Sequence, residues 1–303
     1  MRISTSTIFD GGSARLTDLQ SQLDRTAQQV ACGRKVLTPS DDPVAAARAL
    51  EVQQSSSIND QYAKNRLNLK NSLGVMDGSL SSMVDTLQGM HEQLVAAGNG
   101  TYSDTDRAAI ANVLQGQLDQ LLSLANSTDG AGHYLFAGLQ SGTPAFAADP
   151  TSGVIGYVGD TSSQQSVQVD SSRSMASNVC GSTMLTSSDF FQPISDAIAK
   201  LKNPASSATP LGTLLTDAGA GFAKTLSRVS TVQSMVGTQL AQLDALDNLG
   251  SDRKLQYEQT LSGLQALDYN KALSDLSRQQ FALQAAQKTF AQISHLSLFD
   301  YIN

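Results

Sequence analysis

The chain has 303 residues, 40% of them hydrophobic and only 16% charged, with no tryptophan and a formal net charge of −7. That length has room for two or three domains with real cores, and an acidic balance without a basic face argues against a nucleic-acid binder. Cys32 and Cys180 stand far apart with no CxxC or Cys/His cluster near them, which argues against a disulfide framework and a structural zinc site.

The first ten residues, Met1 to Asp10, lack the apolar stretch of a cleavable secretory signal. No apolar run approaches membrane-spanning length. A soluble chain is expected, and if it leaves the cell it does so by a route that spares its N-terminus. Phe9, Leu16, Leu23 and Val30 then recur at heptad spacing, with Leu19 and Thr26 at the intervening position. These are the a and d positions of a coiled-coil seam. A single stripe of this kind buries too little apolar surface to offset the entropy of ordering the segment. The terminal helix is therefore expected to stay disordered until other helices cover it.

Thr38-Pro39-Ser40-Asp41-Asp42-Pro43 announces the next element, with Asp42 as N-cap and Pro43 at the first helical position. From there a stripe runs through Leu69, Leu73, Met76, Leu80, Met83, Leu87, Met90 and Leu94, with Ile58 and Tyr62 extending it backwards, until Gly98-Asn99-Gly100 stops it. A helix from Pro43 to Ala97 would be roughly 80 Å long, against about 50 Å across for a compact globule of this chain length. A rod is expected, with these eight side chains as its core.

A second helix is predicted from Asp104 to Asn126, with Ile110, Val113, Leu114, Leu118, Leu121, Leu122 and Ala125 on its buried face. Between 128 and 188 glycines multiply and short β-prone runs appear: Tyr134-Leu135-Phe136, Val154-Ile155, Tyr157-Val158, and Val167 alternating with Val169. This segment reads as a small β domain at the far tip of the rod. Phe190, Ile194, Ile198 and Leu201 mark a short helix ended by Asn203-Pro204. Phe222, Leu226, Val229, Val236, Leu240 and Leu243 begin a second long helix, continued by Tyr257, Leu261 and Leu264 with Gly250 as a blemish. The heptad returns at the end in Tyr269, Leu276, Leu283 and Phe290, joined by Ala272, Ala286 and Ile293.

The expected fold is mainly α with an inserted β domain, an elongated antiparallel coiled-coil rod built from both halves of the chain. Its parts are terminal helices at 1–42 and 265–303, a helical rod at 43–127 and 189–264, and a β-rich outer domain at 128–188.

Residues suited to catalysis are few. Asp41 and Asp42 are adjacent carboxylates at a helix start, where capping explains them. His91-Glu92 lacks the second histidine of a zinc-peptidase helix. His133 and His295 have no serine or cysteine in nucleophile context, and Gly153, Gly156 and Gly159 precede no helix that would bind phosphate. No catalytic, cofactor or metal site is predicted. The interface residues expected instead are Phe9, Leu16, Leu19, Leu23, Val30, Leu276, Leu283, Phe290 and Ile293 on the terminal helices.

Residues Gln28 to Val36, followed by Leu37-Thr38-Pro39-Ser40-Asp41-Asp42-Pro43-Val44-Ala45-Ala46, resemble the N-terminal signature of the bacterial flagellin family. Asn65-Arg66, Met76-Asp77-Gly78-Ser79-Leu80 and Asp106-Arg107 fit its downstream helix, and Leu267-Asp268-Tyr269-Asn270-Lys271-Ala272 resembles its C-terminal signature. Gly132 to Gly138, Thr143 to Phe146, Tyr157 to Asp160, and the ending through Gln284–Phe290 and Ser297–Tyr301 look like the family's hook–filament junction member rather than its filament subunit.

The resemblance implies a structural adaptor, exported unfolded through the flagellar type III channel into an extracellular flagellum. It implies as partners a hook-associated junction protein below, flagellin above, sister copies in a ring, and an export chaperone on the C-terminal helix. The terminal helices would line the inner tube, with the β domain outward. A filament-forming flagellin is the alternative within the class. A secreted cell-wall hydrolase with helical docking arms is the alternative outside it, and would need an acid/base pair in the β segment, whose acids are read as Asp149, Asp160 and Asp170.

Overall fold

The computed structural model describes residues 2–149, 154–161 and 164–299, with side chains described from 7 to 293 apart from residue 8. Six α-helices dominate: α1 (Arg2–Cys32), α2 (Pro43–Ala97), α3 (Asp104–Ala125), α4 (Gln192–Lys202), α5 (Leu211–Gln265) and α6 (Tyr269–Phe299). Between α3 and α4 lie β1 (Phe146–Ala148), β2 (Ile155–Tyr157), β3 (Ser166–Asp170) and β4 (Arg173–Ala176), paired as two antiparallel hairpins. The chain divides into two compact units, residues 1–58 with 252–303, and residues 59–251. The division falls inside α2 and α5, so the unit boundaries differ from the expected breaks near 42 and 265.

In the first unit α1 and α6 pack antiparallel: Phe9 meets Phe290 at 4.9 Å between ring centroids, and the Gly33 end of α1 meets Tyr269. α1 ends because Gly33 takes a left-handed φ of 71°, its N–H still bonded to the Gln29 carbonyl. The link to α2 is then tied down by Lys35 N–H to Gln265 O and Leu267 N–H to Gly33 O. Asp42 Oδ1 accepts the Ala45 N–H at 2.9 Å and so caps α2, with Pro43 in the first turn. Asp41 does more than fill the turn. It accepts the N–H groups of Leu37 and Thr38 and pairs with Arg25 of α1 at 2.6 Å.

The second unit is built on α2. Ser103 and Asp106 form a capping box that starts α3 after the stop at Gly98. α3 then runs back along α2: Gly89 faces Gln117, and Ser79 Oγ lies 3.1 Å from Ser127 Oγ. α5 is also antiparallel to α2, with His91 against Phe222, Lys70 paired with Asp244, and Asn59 Nδ2 donating to the Gly250 carbonyl.

The return of α3 decides where the β region sits. It brings residue 128 back beside the middle of α2, so the hairpin of β3 and β4 docks where Asn65 Nδ2 and Arg66 Nη1 donate to the carbonyls of Gln168 and Val169. The expected tip position and separate β domain give way to a layer on the side of α2 and α5. Leu135, Phe136, Phe146, Val169 and Met184 belong to the same apolar cluster as Leu69 to Leu94. Tyr134-Leu135-Phe136 is not a strand. Tyr134 makes an isolated bridge to Thr128 and Leu135 and Phe136 are buried, while Phe146, Phe191, Phe190 and Phe222 follow one another in tilted and edge-on ring contacts.

Other expectations shift locally. Val113 and Ile58, placed on buried faces by periodicity, are 49% and 43% exposed. Gly250 is not a blemish, since a Cβ there would run into the buried guanidinium of Arg66.

Candidate assembly surfaces

Burial separates the two sets of predicted apolar residues. Leu69, Leu73, Met76, Leu80, Met83, Leu87, Met90 and Leu94 are all 0–3% exposed. They share one apolar cluster with residues of α3, α5 and the β layer, among them Leu114, Phe222 and Leu135. The terminal helices differ. Leu16, Leu19, Leu23, Val30, Leu276, Leu283 and Phe290 are only half-buried, and Phe9 and Ile293 are about half exposed. Among the described residues of α1 and α6, Ala272 alone is buried. The two helices share one seam, and its a and d side chains keep part of their surface open to solvent.

A second apolar strip lies off that seam. Leu273 and Phe281 are 49% and 75% exposed on α6. Heptad counting had not singled out Leu273 and Phe281, because neither occupies an a or d position. Their exposed neighbours, such as Ser274 and Arg278, carry the solvated face.

Several titratable groups hold local structure. Asp41 is held below the usual carboxylate range, first by the Thr38 N–H, with the Leu37 N–H and Arg25 adding to it. His91 lies edge-on to Phe222 at 6.1 Å, in a groove of about 300 Å³ with Glu92, Leu87 and Leu226. His133 sits 3.4 Å from Asp129, a carboxylate not among the acids singled out from the sequence, whose Oδ1 accepts the N–H groups of Ala131 and His133. Asp149 stands at the end of the β1–β2 hairpin, the Asp160 carbonyl accepts the Tyr157 hydroxyl at 2.9 Å, and Asp170 is buried where β3 ends. No group of three His, Cys, Asp or Glu among the described residues is placed to hold a metal. Gly153 and the side chain of His295 lie outside the described residues. Neither Cys32, which is exposed, nor Cys180, which is buried, is in a disulfide among the described residues.

A family model of the bacterial flagellin N-terminal helical region matches residues 3–141. Flagellar hook-associated protein 3 of Salmonella typhimurium is 36% identical over 318 aligned positions, covering 99% of this chain and 99% of that protein. The protein of the same name from Escherichia coli matches equally, at 36% over the same span. Among solved structures, FlgL of Xanthomonas campestris shares the fold with a TM-score of 0.62 and 20% identity, over 70% of this chain and 99% of that one. With 36% identity sustained from end to end, the chain belongs to the flagellar hook-associated protein 3 family.

Proposed function

We propose that this chain is the structural adaptor of the bacterial flagellum at the hook–filament junction, joining a hook-associated junction protein to the flagellin filament. The observation that carries the reading is the contrast in burial. One unit has a closed apolar core, while the other presents two terminal helices whose apolar residues stay half-covered. A structural part destined for a multi-copy wall has that construction, because the missing contacts are supplied by neighbours at assembly. The terminal helices then become fully ordered in the inner tube as sister copies close a ring. Its role is mechanical. Asp41, Asp42, Asp106, Asp129 and Asp247 serve caps, turns and ion pairs.

The full-length relatives are hook-associated proteins rather than filament subunits, which favours the adaptor over the flagellin alternative. Export through the flagellar type III channel, with a chaperone shielding the apolar strip of α6, completes the proposal and puts the assembled protein outside the cell. A strain lacking the gene tests it. Complete hooks should remain while flagellin monomer is lost to the medium; attached filaments of normal length would overturn it.

A further inference from the structure

The heptads of α1 and α6 repeat, so leucine against leucine does not by itself fix which heptad faces which. Two places on the pair are not interchangeable. Phe290 lies over Gly12, where a Cβ would come within 2.7 Å of two carbons of its ring. Tyr269 lies over Gly33, where a Cβ would come within 2.8 Å of its hydroxyl oxygen. Gly12 and Gly33 are three heptads apart on one strand of the pair, and Tyr269 and Phe290 are three heptads apart on the other. Both sockets fill only in one register. A slip of one heptad would set Phe290 beyond Gly12 and put Tyr269 against the Thr26 position.

Gly12 is also costly where it stands. It sits with Gly11 inside a helix, where glycine is the poorest ordinary residue. Gly11 has nothing within 4 Å of its would-be Cβ, so only Gly12 has a packing reason.

We propose that Gly12 with Phe290, and Gly33 with Tyr269, form a size code that sets the register of the terminal helix pair. By it the strip carrying Leu273 and Phe281 is presented to neighbouring copies in a single arrangement. This rests on the assembly reading above but concerns the pairing itself. Gly12 and Phe290 are positioning residues, and Gly11 is their built-in control.

The test uses the full chain in a Cys32→Ser background. Oxidative trapping compares Leu19→Cys with Leu283→Cys, the pair expected in register, and Leu19→Cys with Leu276→Cys, the pair one heptad out. An oxidant captures the helices whenever they meet, so prior ordering by partners is not needed. The in-register pair should form about ten-fold faster, as an overpacking penalty of ordinary size requires, and Gly11→Ala should preserve that ratio. Gly12→Ala raises helix propensity equally yet should bring the two rates near parity, and Gly12→Ala with Phe290→Leu should restore the preference. Equal rates in the parent, or an unchanged ratio in Gly12→Ala, would overturn the size code. Swimming of a complemented deletion strain is read in parallel. Motility is expected with Gly11→Ala, lost with Gly12→Ala and regained in the double variant. If trapping follows the code while motility does not, the register code stands and the assembly reading fails.

Discussion

The guanidinium of Arg66 fills the space a Cβ would take at Gly250 of α5, so a residue without a side chain faces the buried cation of the described core. Arg66 Nε pairs with Asp247 and Nη1 donates to the Val169 carbonyl at 3.0 Å, joining α2, α5 and β3 at one point. The two partners are not equivalent. Arg66 is 3% exposed and Asp247 38%. Removing the carboxylate strands a buried charge, whereas removing the arginine leaves an acid that water can solvate. Asp247→Ala is expected to cost about 3 kcal/mol, more than Arg66→Met. Gly250→Ala should destabilise as well, despite its better helix propensity. Urea denaturation of the three variants checks the order, and a Gly250→Ala protein more stable than the parent would contradict it.

Leu80→Ala and Leu87→Ala each truncate a side chain that is 0–1% exposed between packed helices. Each is expected to lower stability by roughly 2–5 kcal/mol, the transfer loss plus the cavity left behind. A midpoint shift under about 1 kcal/mol on the same scale would mean that α3 and α5 close over the gap.

What the sequence made legible follows from the kind of interaction involved. The stripe from Leu69 to Leu94, which is buried, and the Asp42 side chain, which accepts the Ala45 N–H, are local patterns, repeated at helical spacing or within one turn. The docking of the β layer was not legible. It depends on α3 doubling back, and a helix of alternating faces does not announce which neighbour it meets. The roles of Gly250 and Gly12 were hidden for a related reason, since a glycine's function lies in the side chain that packs over it, and that side chain is far away in sequence. Val113 shows the converse. It fits the apolar face by period, but α3 is covered on too narrow an arc to bury it.

The loop before α4 links charge to acid stability. Asp189 accepts from Arg228 Nη2 at 2.8 Å and lies 3.7 Å from Lys224. Its carboxyl is held below the ordinary value of 3.8, first by the Arg228 hydrogen bond and then by the charges of Lys224 and Arg228. A lowered folded-state value means the stabilising contribution is complete above the unfolded value and lost as pH falls through the folded one. Stability should therefore decline below pH 3.8, and Asp189→Asn should flatten that decline. Melting curves between neutral and strongly acidic pH read it directly; an Asp189→Asn curve parallel to the parent would refute the assignment.

The two thiols should separate by reactivity. Cys180 is 5% exposed, and burial pushes its thiol above the ordinary value, with the Asp160 charge adding to it. Its neighbour Tyr157 is raised to about 12, again chiefly by burial. Since the thiolate is the reactive form, a disulfide reagent at neutral pH should titrate Cys32 rapidly and Cys180 only after unfolding. Two fast equivalents in the folded protein would show that the layer around Cys180 opens.

The terminal helices provide the sharpest discrimination between folding and assembly. Backbone amides open locally with a free energy set by the apolar contacts that hold each segment, and around Leu19 and Leu283 those contacts are only half made, whereas around Leu80 they are complete. Hydrogen exchange in dilute protein should be fast along α1 and α6 and slow in the middle of α2. Leu283→Ala should accordingly leave the melting of isolated protein nearly unchanged while impairing incorporation into flagella, because the energy it removes is realised only when neighbouring copies cover the seam. Protection at Leu19 and Leu283 equal to that at Leu80, or a melting loss for Leu283→Ala as large as for Leu80→Ala, would mean that the helix pair is a finished domain in the monomer. The half-exposed apolar residues would then need another explanation.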